Sequence, residues 1–181
     1  KERYGDPRRT EIVDATSDFE IEDMIADEDM IITMSHEGYI KRISVNTYRS
    51  QGRGGKGVRG MDSKENDYIT TLFVASTHTY ILFFTNTGRC YWLKVYKIPE
   101  TGRTSKGKPI INLIDLRPDE KIASFVVVRE FDANHFIVTD TEKGVINKQP
   151  LNAYSNVRRD GINAFNLDDG DSVIECKLTD G

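Results

Sequence analysis

A short apolar run, a polar turn ending in glycine and a second apolar run recur three times, about fifty residues apart. The turn glycines are Gly38, Gly88 and Gly144. Met30–Met34, Tyr80–Phe84 and His135–Thr139 precede them; Tyr39–Ile43, Cys90–Val95 and Val145–Lys148 follow. Each set predicts a β-hairpin, because two β-rich runs around a glycine turn can pair antiparallel. A second glycine follows in a basic loop, at Gly57, Gly107 and Gly161, offset by 19, 19 and 17 residues. Each loop leads to an acidic turn (Asp62–Asp67, Asp115–Lys121, Asp168–Asp171). A further apolar strand closes the unit at Tyr68–Ala75, Ile122–Val128 and Val173–Leu178.

A repeat of this length, holding about four strands, predicts an all-β, blade-like architecture. No segment of a dozen residues shows apolar residues at i, i+3, i+4 and i+7, so helix is not expected. Glu20–Ala26 is the one short helical candidate, and it also fits an alternating strand. Cys176–Gly181 reads as the opening arm of a fourth unit. A closed propeller needs four to eight blades. The 181 residues are therefore expected to be part of a longer ring.

The formal net charge of -4 argues against a nucleic-acid partner only while its distribution is ignored. Glu11–Glu37 holds ten acids and no Lys or Arg. Tyr48–Gly60 holds Arg49, Arg53, Lys56 and Arg59 and no acid. Arg89–Lys108 holds Arg89, Lys94, Lys97, Arg103, Lys106 and Lys108 against Glu100. A third cluster holds Lys143, Lys148, Arg158 and Arg159. Recurring basic loops predict a positive stripe on a negative body; ordinary solvated surface charge is the plainer reading. For the acidic stretch, solubility is preferred over regulation.

Two distant cysteines, Cys90 and Cys176, predict neither a disulfide framework nor a zinc site. His36, His78 and His135 lack a carboxylate or cysteine at ligand spacing, so no metal is expected. Ser76, Thr77 and His78 read as strand end and turn rather than nucleophile and base. Phe83, Tyr91 and Trp92 read as core, and Tyr48, Tyr96 and Tyr154 as packing repeats after the hairpins. The apolar runs are too short to span a bilayer. The polar start shows no signal peptide, the two distant cysteines make a reducing compartment the default, and a cytoplasmic, nucleoid-associated location is expected.

The segment Gln51-Gly52-Arg53-Gly54-Gly55-Lys56-Gly57 packs four glycines and two cations into seven residues. Glycine allows close backbone approach, and Arg and Lys neutralise phosphate. It is not a Walker A loop, since Gly57 follows Lys56, nor a dinucleotide fingerprint, since no βαβ unit surrounds it. It resembles the gyrase A box, the Gln-Arg-Arg-Gly-Gly-Lys-Gly type heptapeptide of the DNA gyrase A C-terminal domain. Six of seven positions match; Gly52 stands where the family usually has a basic residue. Ser35–Arg42, Lys94–Pro99, Gly107–Leu113 and Asp171–Ile174 are similar to further segments of that family. Gly5–Ile12 is similar to its connection to the cleavage core. The A subunit of topoisomerase IV is the related family, with a degenerate or absent box.

The resemblance implies a β-pinwheel: propeller-like, with strand-exchanged four-stranded blades, about three of roughly six. It implies a linker and lead-in strand at 1–23, blades at 24–71, 72–124 and 125–175, and the start of a fourth at 176–181. It implies double-stranded DNA bent around a basic rim, in a type II topoisomerase that introduces negative supercoils with ATP. Gyrase B and the rest of gyrase A, in an A2B2 complex, would be the partners. ATP and Mg would belong to the holoenzyme, with no cofactor and no catalytic residue in this piece. The expected DNA-binding residues are Gln51, Gly52, Arg53, Gly54, Gly55, Lys56, Gly57 and Arg59, then Arg103, Lys106 and Lys108, then Arg158 and Arg159. Lys41, Arg42, Arg89 and Lys148, on hairpins, are weaker candidates. A protein-binding propeller with basic loops for an acidic partner is the alternative reading.

Overall fold

The computed structural model describes residues 21–47, 67–156 and 158–181. Eleven strands are assigned there. They are β1 (Asp29–Ser35), β2 (Tyr39–Ser44), β3 (Ile69–Ser76), β4 (Tyr80–Thr85), β5 (Arg89–Lys94) and β6 (Lys108–Pro109). The rest are β7 (Ile122–Val128), β8 (Phe136–Thr141), β9 (Ile146–Pro150), β10 (Ile162–Asn163) and β11 (Val173–Thr179). They form three antiparallel sheets, in the orders β3-β1-β2-β6, β10-β5-β4-β7 and β11-β8-β9.

The hairpins fall where the glycines put them. Gly38, Gly88 and Gly144 all have φ near +80°, the left-handed region that glycine enters without a Cβ penalty. The apolar strand of each unit returns antiparallel to the first hairpin strand, as β3 on β1, β7 on β4 and β11 on β8. β1 and β4 are therefore central, and both read as nearly continuous buried runs.

The two-residue strands β6 and β10 come from further along the chain. β6 pairs with β2, as Tyr39↔Pro109 and Ile40↔Lys108. β10 pairs with β5, as Ile162↔Cys90 and Asn163↔Arg89. Each of the first two sheets is thus completed by the next unit's basic loop. The backbone closes the joint the same way both times: Ile110 N–H donates to the Gly38 carbonyl and Ala164 N–H to the Gly88 carbonyl, each at 2.8 Å.

Two cores lie between the three sheets. Successive side chains of a strand point to opposite faces. On β4, Ile81 and Phe83 therefore enter the cluster shared with Ile32, Met34, Ile40 and Tyr91. Leu82 and Phe84 enter the other, with Val126, Ile137, Leu151, Tyr154 and Cys176. Phe73 of β3 and Phe125 of β7 stack at 5.1 Å. Burial pushes the Cys90 thiol well up and holds that of Cys176 at about 11, so both stay protonated.

Several sequence expectations change in detail. The unit limits at 71/72, 124/125 and 175/176 fall inside β3, β7 and β11, because these strands complete the sheet of their own hairpin. Cys176–Gly181 does not open a fourth unit: Cys176 to Thr179 pair with β8 in the third sheet. Ile21–Met24 is one 3-10 turn. Further 3-10 turns follow each hairpin, at Val45–Thr47, Val95–Lys97 and Leu151–Tyr154. Ile98 and Tyr154 sit ten residues past their hairpin glycines and are both buried. Ile98, not Tyr96, is therefore the packing counterpart of Tyr154; Tyr48, at the same offset, lies outside the described residues.

A Cβ at Gly161 (φ +71°) would lie 2.7 Å from the Tyr91 ring, whereas one at Gly144 (φ +79°) meets nothing within 4 Å. Gly144→Ala should cost about 1–2 kcal/mol, the left-handed backbone penalty alone. Gly161→Ala should cost about 1–3 kcal/mol more, for the added overpacking. Urea denaturation of the two variants checks the difference.

Candidate nucleic-acid interface

The second basic loop is built against β2. At its start, Arg42 N–H donates to the Pro99 carbonyl (3.1 Å) and Thr101 N–H to the Arg42 carbonyl (3.3 Å). At its end, Lys108 pairs with Ile40. The loop leaves β2 beside residue 42 and returns beside residue 40. Lys41 stands between these points and is fully buried. Its Nζ donates to the carbonyls of Arg103 (2.6 Å), Ser105 (2.7 Å) and Gly102 (3.4 Å). Gly107, at φ +80°, lets the returning backbone lie flat: a Cβ there would come 2.3 Å from the Ile40 carbonyl oxygen and 2.8 Å from Lys41 Cβ. Arg103 and Lys108 are exposed around this frame, and Lys106 is half-buried, its Nζ 5.9 Å from the Tyr39 ring.

The third loop is built against β5 with the same parts in the other order. Tyr39 and Lys41 on β2 correspond to Arg89 and Tyr91 on β5, one and three residues past the hairpin glycine. Here the cation is Arg89. Its guanidinium donates to the carbonyls of Asp160 and Gly161 and to Asn163 Oδ1 (3.0 Å). Glu120, itself buried, anchors the group: it accepts from Tyr91 OH (2.5 Å), Thr87 Oγ1 (3.1 Å) and Arg117 N–H (3.0 Å), with Arg89 Nε at 3.3 Å. Burial, and then the hydrogen bond to Glu120, hold the Tyr91 pKa up. Arg158 and Arg159 are exposed on the loop. Arg159 meets Asp115 at 2.8 Å in an exposed ion pair, which solvent weakens.

The expected DNA-binding residues therefore divide three ways. Gln51 to Gly57 and Arg59 lie outside the described residues. Arg103, Lys106 and Lys108 sit on one exchanged loop, and Arg158 and Arg159 on the next, at matching edges of consecutive sheets. The hairpin candidates behave differently. Lys41 and Arg89 turn to backbone carbonyls, and Arg42 donates to the Ile98 carbonyl at 2.7 Å and pairs with Glu100 at 3.4 Å. Lys148 Nζ lies 4.2 Å from the Phe136 ring centroid. Lys41, Arg42 and Arg89 shape loops and strands more than they present charge, whereas Lys148 is exposed. The long reach of Lys41 across β2 carries no sequence signal, because the carbonyls it meets lie about sixty residues away.

The acids also have structural partners. Glu22 pairs with Lys94 at 2.6 Å, and Asp27 accepts from the Ser76 hydroxyl. Among the described residues of the acidic stretch, Glu22 is thus fastened to the second sheet and Asp27 to the first. Asp67 accepts from Glu37 N–H and Asp171 from Lys143 N–H, each at 3.0 Å, in the turn just before the hairpin glycine. His135 does have a carboxylate partner, Asp132 at 2.7 Å, within a loop that Asp132 also caps through two backbone N–H groups. His36 stacks on Tyr68 at 4.9 Å, and His78 Nε2 contacts the Ile25 carbonyl at 2.8 Å.

The family model for the DNA gyrase C-terminal domain, a β-propeller, matches residues 29–76, 79–129 and 136–180, one match per sheet. The chain belongs to this family. The A subunit of DNA gyrase from Clostridium acetobutylicum is 48% identical over 181 residues, covering all of this chain and 22% of that protein. That of Fibrobacter succinogenes is 46% identical over 177 residues, covering 98% of this chain and 20% of that protein. The chain therefore spans about a fifth of these relatives. Among solved structures, the C-terminal domain of DNA topoisomerase IV superposes with a TM-score of 0.73 at 28% identity, over 87% of this chain and 48% of that one. The DNA gyrase A C-terminal domain superposes with a TM-score of 0.66 at 26% identity, over 84% and 48%. The β-pinwheel expectation agrees with this family and with the exchanged strands.

Burial alone would raise the Asp67 pKa, but the N–H of Glu37, the neighbouring Ser35 and Tyr68 and the charge of Lys106 outweigh it and hold it below the ordinary value. A carboxylate depressed on folding stabilises the protein above its unfolded pKa, about 4. That contribution disappears as pH falls through the lower folded pKa. Asp67→Asn should therefore be less stable than the parent chain at pH 6. The gap should narrow as pH drops below about 4, in urea titrations read by circular dichroism.

Proposed function

We propose that this chain is the DNA-binding and DNA-wrapping part of a DNA gyrase A protein. The observation that carries the proposal is the recurrence of exposed Arg and Lys on exchanged loops at matching edges of consecutive sheets. Phosphate contacts fix a duplex without reading its sequence. Cations repeated blade after blade suit a duplex that must bend across several of them. Buried Lys41 and half-buried Arg89 suit the same task, since a loop with ordered carbonyls keeps its exposed cations in place.

In the parent enzyme, the wrapped duplex would be presented to the cleavage core of a type II topoisomerase, and negative supercoils would be introduced with ATP and Mg. Gyrase B and the rest of gyrase A would complete an A2B2 assembly in the cytoplasm. Cleavage and ATP hydrolysis are assigned to those other parts. The likeness to the topoisomerase IV C-terminal domain supports a second reading, as the corresponding part of that enzyme. The box-like Gln51–Gly57 favours gyrase.

The proposal predicts duplex binding that is tolerant of sequence and steeply dependent on salt. Arg53→Ala with Lys56→Ala should weaken binding about tenfold or more and flatten the slope of log K against log salt by about 2. Fluorescence anisotropy on a labelled duplex across a salt series measures both. Unchanged affinity and slope would remove the box as a contact.

A further inference from the structure

We propose that Lys41 is a positioning residue for DNA binding: it sets the second basic loop from the preceding sheet, without itself touching DNA. This rests on the DNA-binding reading above.

Three observations converge on it. The loop is fixed to β2 on both sides of Lys41, by the Arg42 backbone contacts at its start and the Ile40–Lys108 pairing at its end. The ammonium lies inside the loop, on the carbonyls of Gly102, Arg103 and Ser105. Lys41 is fully buried, while Arg103 and Lys108 on the same loop are exposed. Hydrogen bonds from a charged donor are about twice as strong as neutral ones. Three carbonyls turned inward to one ammonium fix the loop's peptide planes, and with them where its cations sit. A neutral apolar side chain in this place leaves those carbonyls without the donor, and a buried polar group that loses its partner is costly. The loop then relaxes toward water, and its charges spread over many positions.

The next sheet repeats the design with different atoms. There the donor is Arg89, aimed at the carbonyls of Asp160 and Gly161, and the cations served are Arg158 and Arg159. In the third hairpin the corresponding positions are Val145, just before β9, and Asn147 on it, which carry no cation. The arrangement is thus seen in the two sheets whose fourth strand lies among the described residues. It makes the affinity contributed by one unit depend on a side chain of the unit before it.

The test is a coupling experiment on the 181-residue chain. Lys41→Met and the triple variant Arg103→Ala, Lys106→Ala, Lys108→Ala are made separately and together. Duplex affinity is measured from about 50 to 200 mM salt, the range over which phosphate contacts dominate. Lys41→Met should lower affinity about tenfold and flatten the salt slope by about 1 to 2, although no exposed charge has been removed. The triple variant should then cost much less in the Lys41→Met background than in the parent. Lys41→Arg, which keeps charge and donors, should retain more of the affinity than Lys41→Met. Amide exchange should rise in residues 101–109 more than in β4 and β5.

A Lys41→Met chain that melts lower but keeps full affinity and slope while folded would show a structural role only and overturn the proposal. Full additivity with the triple variant would overturn it too, because Lys41 would then act independently of the loop. A parent chain with no salt-dependent binding would overturn the DNA-binding reading and this proposal with it, a result distinct from the first two. If Lys41→Met does not fold, Arg89→Gln crossed with Arg158→Ala and Arg159→Ala poses the same question one sheet later. Additivity there would overturn the principle; loss of additivity would support it.

Discussion

Completion of the first two sheets by the unit that follows each is the constraint on which the rest depends. β2 and β5 would be edge strands of their own hairpins, with a row of unpaired backbone groups. The chain covers them with β6 and β10, only two residues long each. So short a pairing cannot hold by backbone bonds alone. It is held by what surrounds it: a glycine flat against the strand, an N–H closing on the hairpin-glycine carbonyl, and a cation inside the loop. The basic character of the loops and the integrity of the sheets are therefore parts of one arrangement.

The charge distribution looks different in this light. A net charge of -4 suggested little, and its segregation suggested a positive stripe. The folded chain shows two populations of cations within that stripe. Lys41, Arg42 and Arg89 face backbone carbonyls, with Arg89 also on buried Glu120; Arg103, Lys108, Arg158 and Arg159 face outward. The acids divide as well. Asp67, Glu120 and Asp171 secure hairpin turns, while Glu22 and Asp27 fasten the segment that precedes β1.

Much of the fold was legible because its signals are local. Glycine at left-handed turns and apolar runs of five to eight residues placed the hairpins and the returning strands to within a residue or two. β6 and β10 were not legible, since a two-residue pairing has no alternation and its partner lies some seventy residues away. Helix-like character at Glu20–Ala26 resolved into a single turn. Tyr96 looked like a repeat because tyrosine recurs nearby, yet the buried position is filled by Ile98, a different residue type with the same job. At the candidate site, the residue types and the loops were legible. Which cations point inward was not, because that depends on contacts between units. The box-like segment was legible only as sequence.

Exchange between units also has a consequence in time. During synthesis the outer edge of β2 is finished at Ser44, but its covering strand begins at Lys108, about sixty residues later. At about 5–20 residues per second, that edge waits several seconds. An apolar edge left open so long invites pairing with the wrong chain. Lys41 and Arg42 sit in the middle of it, and charge on an edge strand is a common guard against such pairing.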